Sequence, residues 1–256
     1  MKLITLNTWG GRALYPLMAF FRNYKDQADI FCLQEVRNST QEVVNSRHPD
    51  QHLHGSLFDT ISTELYNFNG SFAAFPEDLH KMSVASFWQP DVKVKTIDNF
   101  VVYTPERPQE IGNTIFSARR LQYLVVESGN KEILIADYHG LWNNGPKTDT
   151  PERIEQSLKI KNFLNEYPGP KILCGDLNLL PETKSMRILE EGMRNLVKDY
   201  QVQSTRTPLY RHYHNPAEPN FADYILVSPE IVTRKFEVLP EIASDHAALF
   251  LEFDVE

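Results

Sequence analysis

The chain is poor in thiols, in long apolar runs and in positive charge, and each shortage removes a class of protein. Only two cysteines, Cys32 and Cys174, occur in 256 residues. Each sits in a strand-like apolar run, which reads as a small buried side chain in a reducing compartment rather than half of a disulfide. No apolar stretch reaches the roughly 18 residues that a spanning helix needs, so no membrane span is expected. The first residues, Lys2–Leu6, are strand-like and lack the apolar core and small-residue cleavage site of a signal peptide. A cytoplasmic location is therefore expected. Lysine plus arginine total 26 against 34 for aspartate plus glutamate, a net charge of −8. That balance argues against broad, sequence-independent binding to long nucleic acid through phosphate neutralisation. It leaves a nuclease open, because acids gathered at one metal site distort the total and local cations can still guide a phosphate. Internal repeats, low-complexity tracts and Gly/Ser linkers are also missing, so nothing marks a domain boundary.

What the chain does have is an apolar share of 41%, enough for a sizeable core. Runs rich in Val, Ile, Leu, Phe and Tyr predict strands over Lys2–Leu6, Asp29–Gln34, Ser71–Phe75, Met82–Trp88, Phe100–Tyr103, Leu121–Glu127, Glu132–Tyr138, Lys171–Cys174, Ala222–Val227 and Ala247–Phe253. Helical spacing appears over Ala13–Lys25 and, more weakly, His54–Tyr66. The clearest helix follows Thr150, a capping residue, with Pro151 in its first turn and Ile154, Leu158, Phe163 and Leu164 as its apolar stripe. Another runs from Thr183 to Glu191, with Gly192 placed to end it. Strands outnumber helices, yet helices recur between strands early and late. Two packed sheets with helices on their outer faces satisfy both facts.

Five polar signatures end strand-like runs: Leu6-Asn7-Thr8-Trp9, Leu33-Gln34-Glu35-Val36, Tyr138-His139, Gly175-Asp176-Leu177-Asn178 and Ser244-Asp245-His246. They supply carboxylates, carboxamides and imidazoles, the groups that hold a hard divalent cation and move protons. They run from the first ten residues to the last fifteen. Their convergence requires a single domain over residues 1–256. Glu35 and Asn7 read together as an anionic and a neutral oxygen ligand. Taken singly, each is an ordinary loop or turn residue. Asp176 and Asn178, two apart, share a side if strand geometry persists, and Gly175 lets backbone or substrate approach closely. The competing reading is an Asx-turn before Pro181. Asp223 lies inside the apolar run Phe221–Ile225, where an unpaired carboxylate is costly. His246 is its natural partner, unless Asp223 faces solvent on an edge strand. His139 is either a donor to a non-bridging oxygen or leaving group, or a packed histidine. Gathering Asp176, Glu35, Asp245 and Asp223 would set like charges against one another, about 4 kcal/mol for a pair near 4 Å at intermediate dielectric. A divalent cation removes much of that cost, and an oxygen-only ligand set points to magnesium or manganese.

Asn7, Glu35, the Gly175–Asn178 signature, Asp223 and Ser244-Asp245-His246, in this order, resemble the endonuclease/exonuclease/phosphatase superfamily. The resemblance implies a four-layer α-β-β-α sandwich, an α/β fold of two mostly antiparallel sheets flanked by helices. It implies metal-dependent cleavage of a phosphoester. Glu35 and Asn7 would place Mg2+ or Mn2+, with Asp245 contributing. Asp176 and Asn178 would position water and the transition state. Asp223 and His246 would form the catalytic dyad, with His246 as base or as charge stabiliser. His139 would contact phosphate.

Thr150–Gln156 is similar to a helix start in tyrosyl-DNA phosphodiesterase relatives, and Arg153 and Gln156 share a helix face. Arg153 is thus either a substrate contact or a loop anchor. Trp9 and Trp142 flank site signatures and could stack on a base or sugar. Arg206, Arg211, His212 and His214 precede Asp223 and could grip a phosphate or a base. His48, His52 and His54 read as loop. Glu77 and Asp78 are the acids available to His139. The leading expectation is a phosphodiesterase or nuclease acting on DNA or short nucleic acid. A phosphatase or phosphodiesterase for a small sugar, inositol or lipid phosphate follows, and a non-catalytic binding module stands last.

Overall fold

The computed structural model describes residues 1–39, 53–73, 82–105, 109–111, 114–116, 118–143, 145–215 and 219–256. The strands are β1 (Lys2–Asn7), β2 (Ile30–Arg37), β3 (Asn69–Phe72), β4 (Met82–Trp88), β5 (Val94–Tyr103), β6 (Gln109–Ile111), β7 (Thr114–Phe116), β8 (Arg119–Ser128), β9 (Lys131–Tyr138), β10 (Lys171–Asp176), β11 (Arg194–Asn195), β12 (Asp223–Val227), β13 (Ile231–Val238) and β14 (Leu249–Val255). The helices are α1 (Leu14–Tyr24), α2 (Leu57–Glu64), α3 (Pro151–Glu166), α4 (Lys184–Glu190) and α5 (Leu196–Asp199).

Two six-stranded sheets result, ordered β13-β14-β1-β2-β4-β3 and β11-β12-β10-β9-β8-β5, with β6 and β7 as a separate hairpin. Each sheet has one parallel pair, β1–β2 and β9–β10, among antiparallel neighbours. A parallel pair needs a crossover, and α1 and α3 provide the two. The strand sets β14-β1-β2-β4 and β8-β9-β10-β12 therefore repeat one topology, although the residues show no repeat. The expected sandwich of two sheets flanked by helices is present.

Period-two alternation explains the layers. Ile4 and Leu6 of β1 and Phe31 and Leu33 of β2 form one buried cluster with Leu17, Phe20 and Phe21 of α1 and Leu57 and Ile61 of α2. Leu3, Ile30 and Cys32 face the other way and join the second cluster, which carries β8–β10, β12, α3 and α4. Each large side chain so buried contributes about 1.5–3 kcal/mol. Thr150 caps α3 by accepting from the Arg153 N–H, and Thr183 does the same for α4 through Met186. Cys32 and Cys174 are free and fully buried, and the Cys174 thiol donates to the Ala136 carbonyl at 3.5 Å.

The edges depart from expectation. β5 begins at Val94 rather than Phe100, because Lys95 and Asp98 lie on a half-exposed edge strand where charge is tolerated. β13 was not expected, since Thr233-Arg234-Lys235 masks its alternation at the opposite sheet edge. The far end of the expected Ser71–Phe75 strand lies outside the described residues, as do His48, His52, Glu77 and Asp78.

Candidate active site

The carboxyl ends of both parallel pairs meet at one end of the sandwich. Asn7 ends β1, Glu35 lies near the end of β2, Asp176 ends β10 and His139 follows β9. Asp176 is the centre. Its Oδ2 accepts from Asn7 Nδ2 at 2.9 Å and lies 3.6 Å from both His139 Nε2 and His246 Nε2. Its Oδ1 accepts from the Asn178 backbone N–H at 3.0 Å. Asn7 Nδ2 also reaches Glu35 Oε1 at 3.2 Å, so one amide ties the two carboxylates together.

Local backbone geometry aims these groups. The β2–β4 register slips between Leu33 and Val36, making a bulge that contains Glu35. Glu35 has φ +54°, Trp9 +54° and Asn178 +51°. Such left-handed non-glycine residues cluster where a fold over-determines strained backbone, typically at functional sites. Gly175 has φ +123°, and a Cβ there would lie 2.3 Å from the Tyr138 carbonyl oxygen. Only glycine lets β10 turn this close to β9.

The two imidazoles are oriented from behind. Asp223 holds His246 Nδ1 at 2.8 and 2.9 Å, leaving Nε2 toward Asp176. Arg119 Nη1 lies 3.2 Å from His139 Nδ1. A guanidinium only donates, so Nδ1 accepts and Nε2 carries the proton that faces Glu35 and Asp176. Burial and then the Arg119 charge push His139 down to about 4, so it is neutral near pH 7. For His246, burial and Arg206 act downward, but Asp223, Asp245 and Asp176 outweigh them and raise it. Asp176 is held well below the usual carboxylate range, because His246, His139, Lys147 and Arg206 overcome its burial. Glu35 is lowered in the same way by His139 and Arg12.

The expected residues thus converge, with changes in what they touch. Asn7 turns its oxygen to the Trp9 N–H at 2.9 Å, so its amide, not its expected ligand oxygen, meets the acids. Asp245 Oδ2 is 3.3 Å from Arg206 Nη1 and its Oδ1 is 3.8 Å from His246 Nε2. Asn178 donates through Nδ2 to the Gly140 carbonyl at 3.3 Å. Of the two readings of Arg153, substrate contact or loop anchor, its hydrogen bonds are those of a loop brace. Its five N–H groups go to the carbonyls of Leu141, Pro146 and Thr148 and to Asn143 Oδ1, leaving no donor for a ligand. Gln156, one turn on, accepts from the Leu141 N–H and the Tyr138 hydroxyl. Arg12 lies over the half-buried Trp9 ring at 5.5 Å. Trp142 lies in the braced loop. His214 is exposed and meets Tyr213 edge-on.

Sequence reasoning passed over Arg12, Arg119, Lys147 and Thr205. Arg119 opens a strand that pairs with β9, and Lys147 sits in a Gly-Pro-Lys loop, so neither carries a local signature. Thr205 Oγ1 accepts from the backbone N–H groups of Ala222 and Asp223 at 3.0 and 3.2 Å. Oxygen atoms of Glu35 and Asp176 lie within 4.8 Å of one another and of a His139 nitrogen, a spacing one cation can span. Two adjacent hard carboxylates fit a magnesium-class ion.

A two-sheet sandwich with an acid–histidine centre at the ends of its parallel strands defines a phosphoester-hydrolase scaffold. The chain belongs to the endonuclease/exonuclease/phosphatase family, whose sequence profile matches residues 4–246. Its structure is similar to a family member from Bacteroides vulgatus, with 18% identity and TM-score 0.71, covering 100% of this chain and 98% of that one. It is similar to a mannosyl-6-phosphatase from Bacteroides thetaiotaomicron, with 18% identity, TM-score 0.70 and 99% coverage of both chains. A humanized D. rerio TDP2 gives 13% identity, TM-score 0.70, and coverage of 100% of this chain and 99% of that one. At these identities the likeness shows the fold. A comparison with curated protein sequences gave no match.

Proposed function

We propose that this chain is a divalent-metal-dependent hydrolase of small or chain-terminal phosphoesters. The observation that carries the reading is Asp176 Oδ2, faced at 3.6 Å by the Nε2 atoms of two differently tuned imidazoles, with Glu35 tied beside it. Glu35 and Asp176 would hold the ion. When bound, a magnesium-class cation would neutralise that pair and stabilise charge on a phosphoryl oxygen.

The protein groups divide the remaining work. Neutral His139 donates its Nε2 proton to a non-bridging oxygen. His246 takes the proton of the attacking water on Nε2 while Asp223 holds its Nδ1–H. Asp176 is too weak a base for that task, since its neighbours hold it well below its usual range. Asn7 fixes the separation of Glu35 and Asp176.

The substrate class follows from charge placement. Arg12, Arg119, Lys147 and Arg206 all interact electrostatically with the site carboxylates. Four cations face Glu35, Asp176, Asp223 and Asp245, so an added divalent ion leaves the site positive and suited to an anionic ester. Away from the site, many cations are neutralised in pairs, such as Lys95 with Glu127 and Glu132, Arg194 with Asp199, and Arg234 with Asp254. That pattern favours a compact ester over a long duplex. A nuclease on short nucleic acid is the second reading, favoured by the cation–aromatic pairs Arg12–Trp9 and Arg206–Tyr210.

The test is a panel of p-nitrophenyl phosphate, bis-p-nitrophenyl phosphate, sugar phosphates, single-stranded oligonucleotides and plasmid, each with magnesium, manganese or a chelator. Metal-dependent release from the small esters is expected. Failure to hydrolyse every ester with either metal would overturn the reading, and turnover of nucleic acid alone would replace it with the second.

A further inference from the structure

Two cations on the dyad side of the site are held by more structure than charge balance requires. Lys147 lies in the loop braced by all five donors of Arg153. Its carbonyl accepts from the Leu180 N–H at 3.0 Å, and its ammonium donates to the Phe221 carbonyl at 2.9 Å. Arg206 is fixed from the other direction. It bridges to His246 through the backbone, and its neighbour Thr207 donates to the Asp245 carbonyl.

One segment connects the two. Residues 221–223 receive Lys147 at Phe221 and donate from Ala222 and Asp223 to Thr205, the residue before Arg206. Lys147 and Arg206 therefore flank the same strip of backbone beside the dyad. Each interacts electrostatically with Asp176, Asp223 and Asp245, and Arg206 is the charge that most disfavours the Lys147 ammonium.

Both retain donors for a ligand. An ammonium carries three N–H groups, and among the described residues Lys147 uses one. Arg206 is only 8% exposed; among the described residues its side chain donates only to Asp245, and its buried Nε–H meets no partner. Its guanidinium stacks on Tyr210 at 4.5 Å, which holds the plane in place. Two like charges with unused donors, close enough to disfavour one another and anchored to the same buried strip, suit an oxyanion. On the opposite side, Arg119 and Arg12 already serve His139 and Glu35.

We propose that Lys147 and Arg206 form a subsite for a second phosphate-like group of the substrate, beside the scissile phosphoester. The preferred substrate is then a compact ester carrying two phosphate-class anions. This rests on the phosphoester reading above.

The test measures binding by calorimetry to the full chain in excess calcium, with methylphosphonate and methylenebisphosphonate as probes. The wild type should bind the bisphosphonate at least about tenfold more tightly than the monophosphonate. Lys147→Gln and Arg206→Gln should each weaken the bisphosphonate about tenfold more than they weaken the monophosphonate. Retained monophosphonate binding reports that the variants fold. As a measurement independent of the variants, a wild-type crystal soaked in the bisphosphonate should place its second phosphonate against Lys147 Nζ and the Arg206 guanidinium. Equal wild-type affinities, equal losses for both probes, or a second phosphonate lying elsewhere would overturn the subsite and leave the phosphoester reading standing. Binding of neither probe would overturn both.

Discussion

His139→Gln gives a stability test of the site that does not depend on any substrate. In the folded chain His139 titrates near 4, against 6.5 for the free side chain, because it is buried and faces Arg119. The sign follows from which state binds the proton. At about pH 8 the imidazole is neutral in both states and adds no pH dependence. As pH falls through 6.5, the unfolded chain takes up a proton that the folded chain refuses, so stability is lost until the folded value near 4 is reached. The full loss corresponds to roughly 3 kcal/mol, of which about 2 kcal/mol should be felt by about pH 5. Urea unfolding in the presence of a chelator, at about pH 8 and about pH 5, measures it. Carboxylates that titrate on acidification, including Glu35 and Asp176, contribute to both proteins. The wild type should therefore lose about 2 kcal/mol more than His139→Gln over that range. Equal losses would refute the assignment of His139 as a buried neutral imidazole and, with it, the proton on Nε2.

Four further outcomes follow from the same geometry. His246→Ala should lower kcat by about 10²–10⁴-fold without unfolding the chain. The wild-type kcat/KM should fall on the acid side as His246, raised above 6.5 by its carboxylate neighbours, becomes protonated. A wild-type profile without that acid limb would remove His246 from the base role. Asp137 is fully buried, has Gln34 as its hydrogen-bond partner at 2.6 Å and is pushed well above its usual range by burial. Its folded form needs a proton, so the cost of keeping Asp137 grows as pH rises above 3.8. Asp137→Asn should match the wild type in strong acid and be more stable at neutral pH in denaturant melts. Gly175→Ala should cost at least about 2 kcal/mol, since it combines a left-handed φ with a clash against the Tyr138 carbonyl.

Most of the fold could be read from the residues because central strands bury both faces and so print as continuous apolar runs. Leu3–Leu6, Ile30–Leu33, Ile133–Ala136 and Ile172–Cys174 are nearly all inaccessible, and all were legible. Edge strands β5 and β13 were not, since an open edge tolerates charge and breaks the alternation. Asn7, Glu35, His139 and Asp176 were legible because each lies at the end of one of those apolar runs, and Asp223, Asp245 and His246 because they lead into others, where a polar side chain stands out. Their hydrogen-bond roles were not. Asn7 looked like an oxygen ligand, but the left-handed turn at Trp9 brings an N–H onto that oxygen. Arg153 and Gln156 shared a helix face as spacing required, yet spacing does not say whether that face meets substrate or a loop. Arg119, Lys147 and Arg206 act across long separations in sequence, and only the folded chain sets them around one carboxylate.

The central claim is that Glu35 and Asp176, from different sheets, jointly hold one catalytic divalent ion. Manganese soaked into crystals of the protein, located by anomalous scattering, tests it most directly. A peak about 2.0–2.3 Å from an oxygen of each carboxylate is the predicted result, lost in Glu35→Gln together with metal-dependent turnover. A peak bound elsewhere, or a Glu35→Gln enzyme with undiminished metal-dependent hydrolysis, would contradict the account.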